Sequence, residues 1–89
     1  MLVLPSELTL RQARVCLRML IQGLPSQTGP AVSVDAGSLQ HFDSSALAVL
    51  LALRRQSLAL GKQFVIRGLS PRLADLASLY GVAELLTPA

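Results

Sequence analysis

Few residues in this chain could do chemistry: one histidine, one cysteine and an Asp-Ser-Ser run at 43–45. His41 is the one side chain able to act as a general base near neutral pH. No carboxylate partner and no nucleophile elbow surround it in the sequence. Ser44 and Ser45 lack the Gly-x-Ser-x-Gly frame that exposes a serine nucleophile at a strand-to-helix turn. No P-loop or paired-glycine phosphate cradle occurs. Cys16 has no partner for an internal disulfide and no metal-ligand spacing around it, so it reads as a small, partly buried helical side chain. The inventory points away from an enzyme, with no catalytic residues, metal or cofactor expected, and leaves His41 as a loop residue beside Asp43.

Asp43 itself has an ordinary structural use. An aspartate just before a helix accepts from the first free backbone N–H groups and complements the helix dipole. The elements around it follow from periodicity. Residues 2–4 predict a short strand stopped by Pro5-Ser6. Thr9 and Gln12 have capping-box spacing at the start of a helix. In that helix Leu10, Ala13, Leu17, Leu20 and Ile21 form the inner face, Arg11, Arg14, Arg18 and Gln22 line the other side, and Gly23 is the stop. Pro25 to Pro30 reads as a loop, and Ala31–Asp35 alternates as a strand. A helix is expected from Ser44 to Leu60 with Gly61 behind it, then a strand over Gln63–Arg67. Ser70-Pro71 opens a last helix, with Leu73, Leu76, Ala77 and Tyr80 on one face and Gly81 at its end. Residues 82–86 add one further helical turn.

The order is βαβαβα, an α/β class with a mostly parallel or mixed sheet covered by helices. Such sheets carry functional loops at the carboxyl ends of their strands, and Asp43-Ser44-Ser45 occupies one of those positions.

The helix behind Asp43 is more informative than its cap. At ~100° per residue, Leu47, Leu50, Leu51, Leu53, Leu58 and Leu60 fall in one half of the wheel. Ser45, Ala48, Val49, Ala52, Gln56 and Ala59 fall in the other, where there is no leucine. The leucine half is expected to face the sheet, with Arg54 snorkelling at its edge. A helix apolar on every side is normally covered on every side. A chain of 89 residues promises no second layer, so the Ser45-Ala48-Val49-Ala52 surface is expected to be covered by another polypeptide. Alanine's helix propensity is the rival account of those small residues.

Composition narrows the partner. Hydrophobic residues make up 52% and charged residues 15%, which excludes disorder and implies one domain over residues 1–89 with apolar surface to spare. The net charge is +3, but the eight basic residues are scattered and the aromatics are only Phe42, Phe64 and Tyr80. That is not the clustered, stacking-capable footprint of a nucleic-acid binder. Pro5 breaks the N-terminal apolar run, arguing against a signal peptide. The uninterrupted apolar run Ala46–Leu53 is far below the ~20 residues a membrane span needs. A cytoplasmic protein that meets a membrane only through a partner is expected.

Phe42-Asp43-Ser44-Ser45-Ala46-Leu47, then an apolar helix, Gly61, the Phe64–Ile66 strand and Leu69-Ser70-Pro71, resembles the STAS-domain family, which includes the anti-sigma factor antagonists. The run Leu76-Ala77-Ser78-Leu79-Tyr80-Gly81-Val82 is similar to the STAS subunits of ABC complexes that move phospholipids between bacterial membranes. The resemblance implies a single STAS-type domain whose partner is either the transporter's ATPase subunit or an anti-sigma factor kinase. In the transporter branch the position of Ser44 contacts the ATPase. In the antagonists the position of Ser45 is phosphorylated. Either use places Asp43, Ser44, Ser45, Ala48, Val49 and Ala52 against the partner. Two departures from the family pattern are Ala46, where glycine is usual, and a short N-terminus, which leaves a sheet edge open to a homodimer. A third use, binding nucleic acid or a lipid surface through the arginines of the first helix, rests on charge alone.

Overall fold

The structure, a computed structural model, describes residues 1–86. In chain order the elements are β1 (Leu2–Val3), β2 (Glu7–Leu8), α1 (Leu10–Gly23), β3 (Ala31–Asp35), β4 (His41–Phe42), α2 (Ser44–Ala59), β5 (Gln63–Arg67), α3 (Pro71–Leu79) and α4 (Ala83–Leu86). The alternation of strand and helix is as the periodicity requires, and the main sheet has the order β1-β3-β5 with both pairings parallel. The register sets Leu2 beside Val34 and Val34 beside Ile66. These side chains share one face of the sheet, and the core is built on that face from Leu4, Val32, Val34, Ile66 and the inner sides of the helices.

A second, two-stranded parallel pair, Glu7–Leu8 with His41–Phe42, was not foreseen. Two residues are too few to carry a period-2 signal. This pair nonetheless brings the residues before α1 next to those before α2, so the Asp-Ser-Ser element follows β4 and not β3 directly.

One expectation about the first helix needs correction, the place of Leu10. α1 ends at Gly23 as expected, and the chain goes on through a 3-10 turn, Leu24–Ser26, in which Leu24 is buried. Gly23 also allows close packing, since a Cβ there would lie 3.0 Å from a Leu2 methyl carbon. Leu10, assigned to the inner face, is exposed because it occupies the first turn, ahead of the packed stretch. Gln12 does act as the capping-box residue, its Oε1 accepting from the Thr9 N–H at 2.9 Å and from the Thr9 hydroxyl at 2.7 Å.

The later helix ends behave as their sequences require. Gly61 and Gly81 take positive φ, of 75° and 73°, just past α2 and α3. The N–H groups that follow them, Lys62 and Val82, return to the carbonyls of Ser57 and Ala77. Ser70 accepts from the Leu73 N–H at 3.2 Å with proline in the first turn.

Candidate functional site

Asp43 lies at the N-terminus of α2, where Oδ1 accepts from the Ser45 N–H at 2.8 Å. Its other oxygen, Oδ2, accepts from the Leu10 N–H at 3.1 Å, the first residue of α1. One carboxylate therefore satisfies a free donor at the start of each of two helices, and the field of both N-termini favours its anion. The Ser45 N–H, and behind it the Leu10 N–H, hold the carboxyl below the usual carboxylate range. Asp43 was expected among the contact residues; both its oxygens accept from the fold, and the exposed residue also lines the groove at the start of α2.

The helix it opens is rolled relative to expectation. Val49 is 2% exposed and belongs to the core, as do Ala46, Leu47, Leu50 and Leu53. It therefore cannot line an outer surface as found. The reason is α1, which packs alongside α2 and is the second layer the chain length did not promise. Conversely Leu58 and Leu60, placed on the sheet side by the wheel, are exposed at 47% and 56%. The outward strip runs through Ser44, Ala48, Leu51 and Arg55, with Ala52 half-covered at its margin. At ~100° per residue this strip is turned by roughly 80° from the leucine-free arc.

The strip does not stand alone. Beside the start of α2 is an open groove of about 570 Å³ lined by Phe42, Asp43, Ser44, Arg72, Asp75, Leu76, Leu79 and Tyr80. A second groove, continuous with it through Ser44 and Tyr80, is lined by Leu47, Ala48, Leu51 and Val82. Leu79 is 81% exposed and Tyr80 58%, so apolar surface faces solvent at the end of α3, with Asp43, Arg72 and Asp75 along the same groove. Tyr80 had been assigned to the packed face of α3; it sits instead at the helix C-cap, outside that face. Leu79 is a surface residue that the sequence did not reveal, and Leu51 and Val82 are half-buried residues that line the second groove. The available signal was Leu79-Tyr80, two large apolar residues placed after the packed positions Leu73 and Ala77 were already complete.

At the groove's edge the Arg72 guanidinium lies 5.1 Å from the centre of the Phe42 ring, a cation–π contact that fixes both side chains. Ser44 is exposed and Ser45 half-covered. The Ala46 side chain is fully buried, so the residue that replaces the usual glycine does not screen either hydroxyl.

Chemical company is sparse throughout. Among the described residues no group of three His, Cys, Asp or Glu could hold a metal ion. His41 is exposed, in β4. Cys16 is half-buried, and that burial raises its thiol pKa, which disfavours the reactive thiolate. No helix among the described residues is long and apolar enough to cross a membrane.

The comparisons agree with this architecture. The sequence matches the family described as the MlaB STAS domain over residues 1–87. No curated protein matches it.

Proposed function

Because the chain belongs to the STAS-domain family, in the group described as MlaB, we propose that it is a non-catalytic assembly subunit that docks on the ATPase of a phospholipid-transporting ABC complex. The observation that carries this reading is the solvent-facing apolar floor between Ala48 and Leu51 of α2 and Leu79 and Tyr80 at the end of α3. Exposed apolar surface that continues across two elements is characteristic of a protein contact. Small side chains at Ser44 and Ala48 let a partner's side chains approach the α2 backbone, while Leu79 and Tyr80 supply anchors of the kind that dominate binding energy. Ser44 contributes a free hydroxyl at the centre, and Ala52 and Ser45 lie at the rim. The protein would sit at the inner face of the inner membrane through its partner, without contacting lipid through this surface.

The test is co-purification with the ATPase subunit. Ala48→Arg places a long cation on an exposed position, so the domain should keep its melting temperature and lose the complex. Retention of the complex by a folded Ala48→Arg protein would remove the docking face from consideration. The second reading, an anti-sigma factor antagonist switched at Ser45, calls for incubation with ATP and an anti-sigma kinase. Phosphate adds nearly two negative charges and would expel a partner from an apolar floor. Ser44 is the more accessible of the two hydroxyls, and finding phosphate on neither serine would rule out the switch.

A further inference from the structure

The main sheet has two edges, and they are unlike. β1 is two residues long and the chain reaches Pro5 just after it, features that blunt an edge against further pairing. β5 is five residues long, with no proline, no glycine and no charge at its centre. Among the described residues no strand pairs with its other side. Its backbone phase is fixed by β3. The Gln63 N–H donates to the Pro30 carbonyl at 2.9 Å, and the Arg67 carbonyl accepts from the Ala36 N–H at 2.8 Å. Residues 63, 65 and 67 therefore turn their backbone groups inward, and the N–H and C=O of Phe64 and Ile66 point out of the sheet. An open groove of about 660 Å³ is lined by this strand and the loop after it, from Val65 to Leu69. It shares no lining residue with the grooves beside α2 and α3.

We propose that β5 is the contact edge of a homodimer, in which two copies pair antiparallel about a two-fold axis at Val65. Two donors and two acceptors in a row call for an extended strand, not for a helix or a lipid surface. The strand that fits is β5 itself, because its outward groups are symmetric about Val65. Phe64 of each copy lies opposite Ile66 of the other and the two exchange both their bonds, so every outward group is satisfied. This is the one register that pairs all five residues of both strands. No like charges meet in it: Arg67 of each copy faces Gln63 of the other. Val65 meets its own copy on the face of the sheet opposite the core, since Ile66 is the neighbour turned into the core. Both three-stranded sheets join into one, and the two unprotected edges cover each other, which closes the assembly at two copies. The contact is small, so the dimer belongs to the weak, concentration-dependent class.

Cysteine cross-linking of the intact chain, in a Cys16→Ala background, reads the register directly. The two Val65 Cα atoms would lie about 4.5 Å apart, within disulfide reach. Val65→Cys should therefore give a disulfide-linked dimer under mild copper–phenanthroline oxidation. Gln63→Cys alone should not, because its two copies lie about 14 Å apart along the strands, whereas Gln63→Cys combined with Arg67→Cys should. Sedimentation equilibrium of the unaltered chain, carried to high concentration, should show the mass rising from 9.5 kDa towards twice that value. Val65→Lys sets two cations opposite each other; it should keep native circular dichroism and weaken the association at least about tenfold. Monomer mass at every concentration overturns the proposal. So does Val65→Cys cross-linking no faster than Gln63→Cys, or a folded Val65→Lys protein that dimerises undiminished. A monomeric chain whose complex with the ATPase subunit is lost on Val65→Lys would assign this edge to a strand of that partner and equally overturn it.

Discussion

Asp43 shows how much of a small fold can hang on one carboxylate. An N-cap aspartate before α2 is legible from the sequence alone, but the second acceptor bond, to the Leu10 N–H, spans 33 residues of chain. Two substitutions separate charge from hydrogen bonding. Asp43→Ala leaves a free donor at the start of each helix, and the melting temperature should drop clearly at neutral pH. Asp43→Asn keeps one acceptor oxygen and should fall between the two, since an amide nitrogen cannot accept from the other helix. The depressed pKa also sets the pH dependence. The stability from the anion is fully present above the ordinary carboxylate pKa of ~3.9 and is lost as pH falls through the lower folded value. Thermal unfolding followed below that value should show a steeper acid limb for the native protein than for Asp43→Ala. An identical acid limb in both would assign the acid loss to other carboxylates.

Gly68 makes a comparable point about backbone. Its φ is +72°, and a Cβ there would lie 2.9 Å from the Gly37 nitrogen, where the loops after β3 and β5 touch. Gly61 has nearly the same φ, +75°, with nothing within 4 Å of a built Cβ. Both alanine variants carry the cost of a left-handed backbone, about 1 kcal/mol. Only Gly68→Ala adds a clash with main chain, which cannot swing aside as a flexible side chain would. Denaturant unfolding should therefore rank Gly68→Ala clearly below Gly61→Ala, and equal stabilities would mean the loops separate freely.

At the scale of elements, α2 is the one whose orientation the sequence left ambiguous. Apolar residues occupy nearly the whole wheel, so periodicity has little asymmetry to report, and the leucine-rich half was a reasonable guide to the inner face. The packed face instead includes Ala46, Val49 and Ser57, whose hydroxyl bonds back to the Leu53 carbonyl at 2.8 Å. Small residues are inside because α1 and the sheet approach closely there. Leu53 and Leu58 discriminate between the two placements. Leu53→Ala removes a fully buried side chain and should cost about 3 kcal/mol, within the usual range for a core leucine. Leu58→Ala, at 47% exposure, should cost under about 1 kcal/mol. Similar losses at both positions would return the helix to the expected roll. In α1 and α3 the outcome was clearer from sequence, because their polar residues are confined to one side and the caps, Thr9 with Gln12 and Ser70 with Pro71, mark the starts.

For the whole molecule, the arrangement separates positions that carry the fold from positions free to bind. Ala48 and Val49 are neighbours in sequence with opposite fates. Val49→Arg buries an unpaired charge and should leave the chain unfolded or aggregated, which circular dichroism would register directly. Ala48→Arg should give native circular dichroism and a native melting temperature. If Val49→Arg folded normally, the placement of α2 against α1 would be wrong, and with it the shape of the docking floor.

The sequence by itself determined the alternation of strands and helices, the helix caps, the glycine stops at Gly61 and Gly81, and the family to which Asp43-Ser44-Ser45 points. All of these rest on local physics: backbone preference, short-range hydrogen bonds and hydrophobic period. Tertiary structure alone decided three things. It set which side of α2 faces out, because packing against α1 overrides a nearly uniform apolar wheel. It joined Ser44, Ala48 and Leu51 to Leu79 and Tyr80, residues separated in sequence and adjacent only once α3 folds back. It also gave Asp43 its second helix, since a bond between chain-distant groups depends on where the β2–β4 pair sets them down.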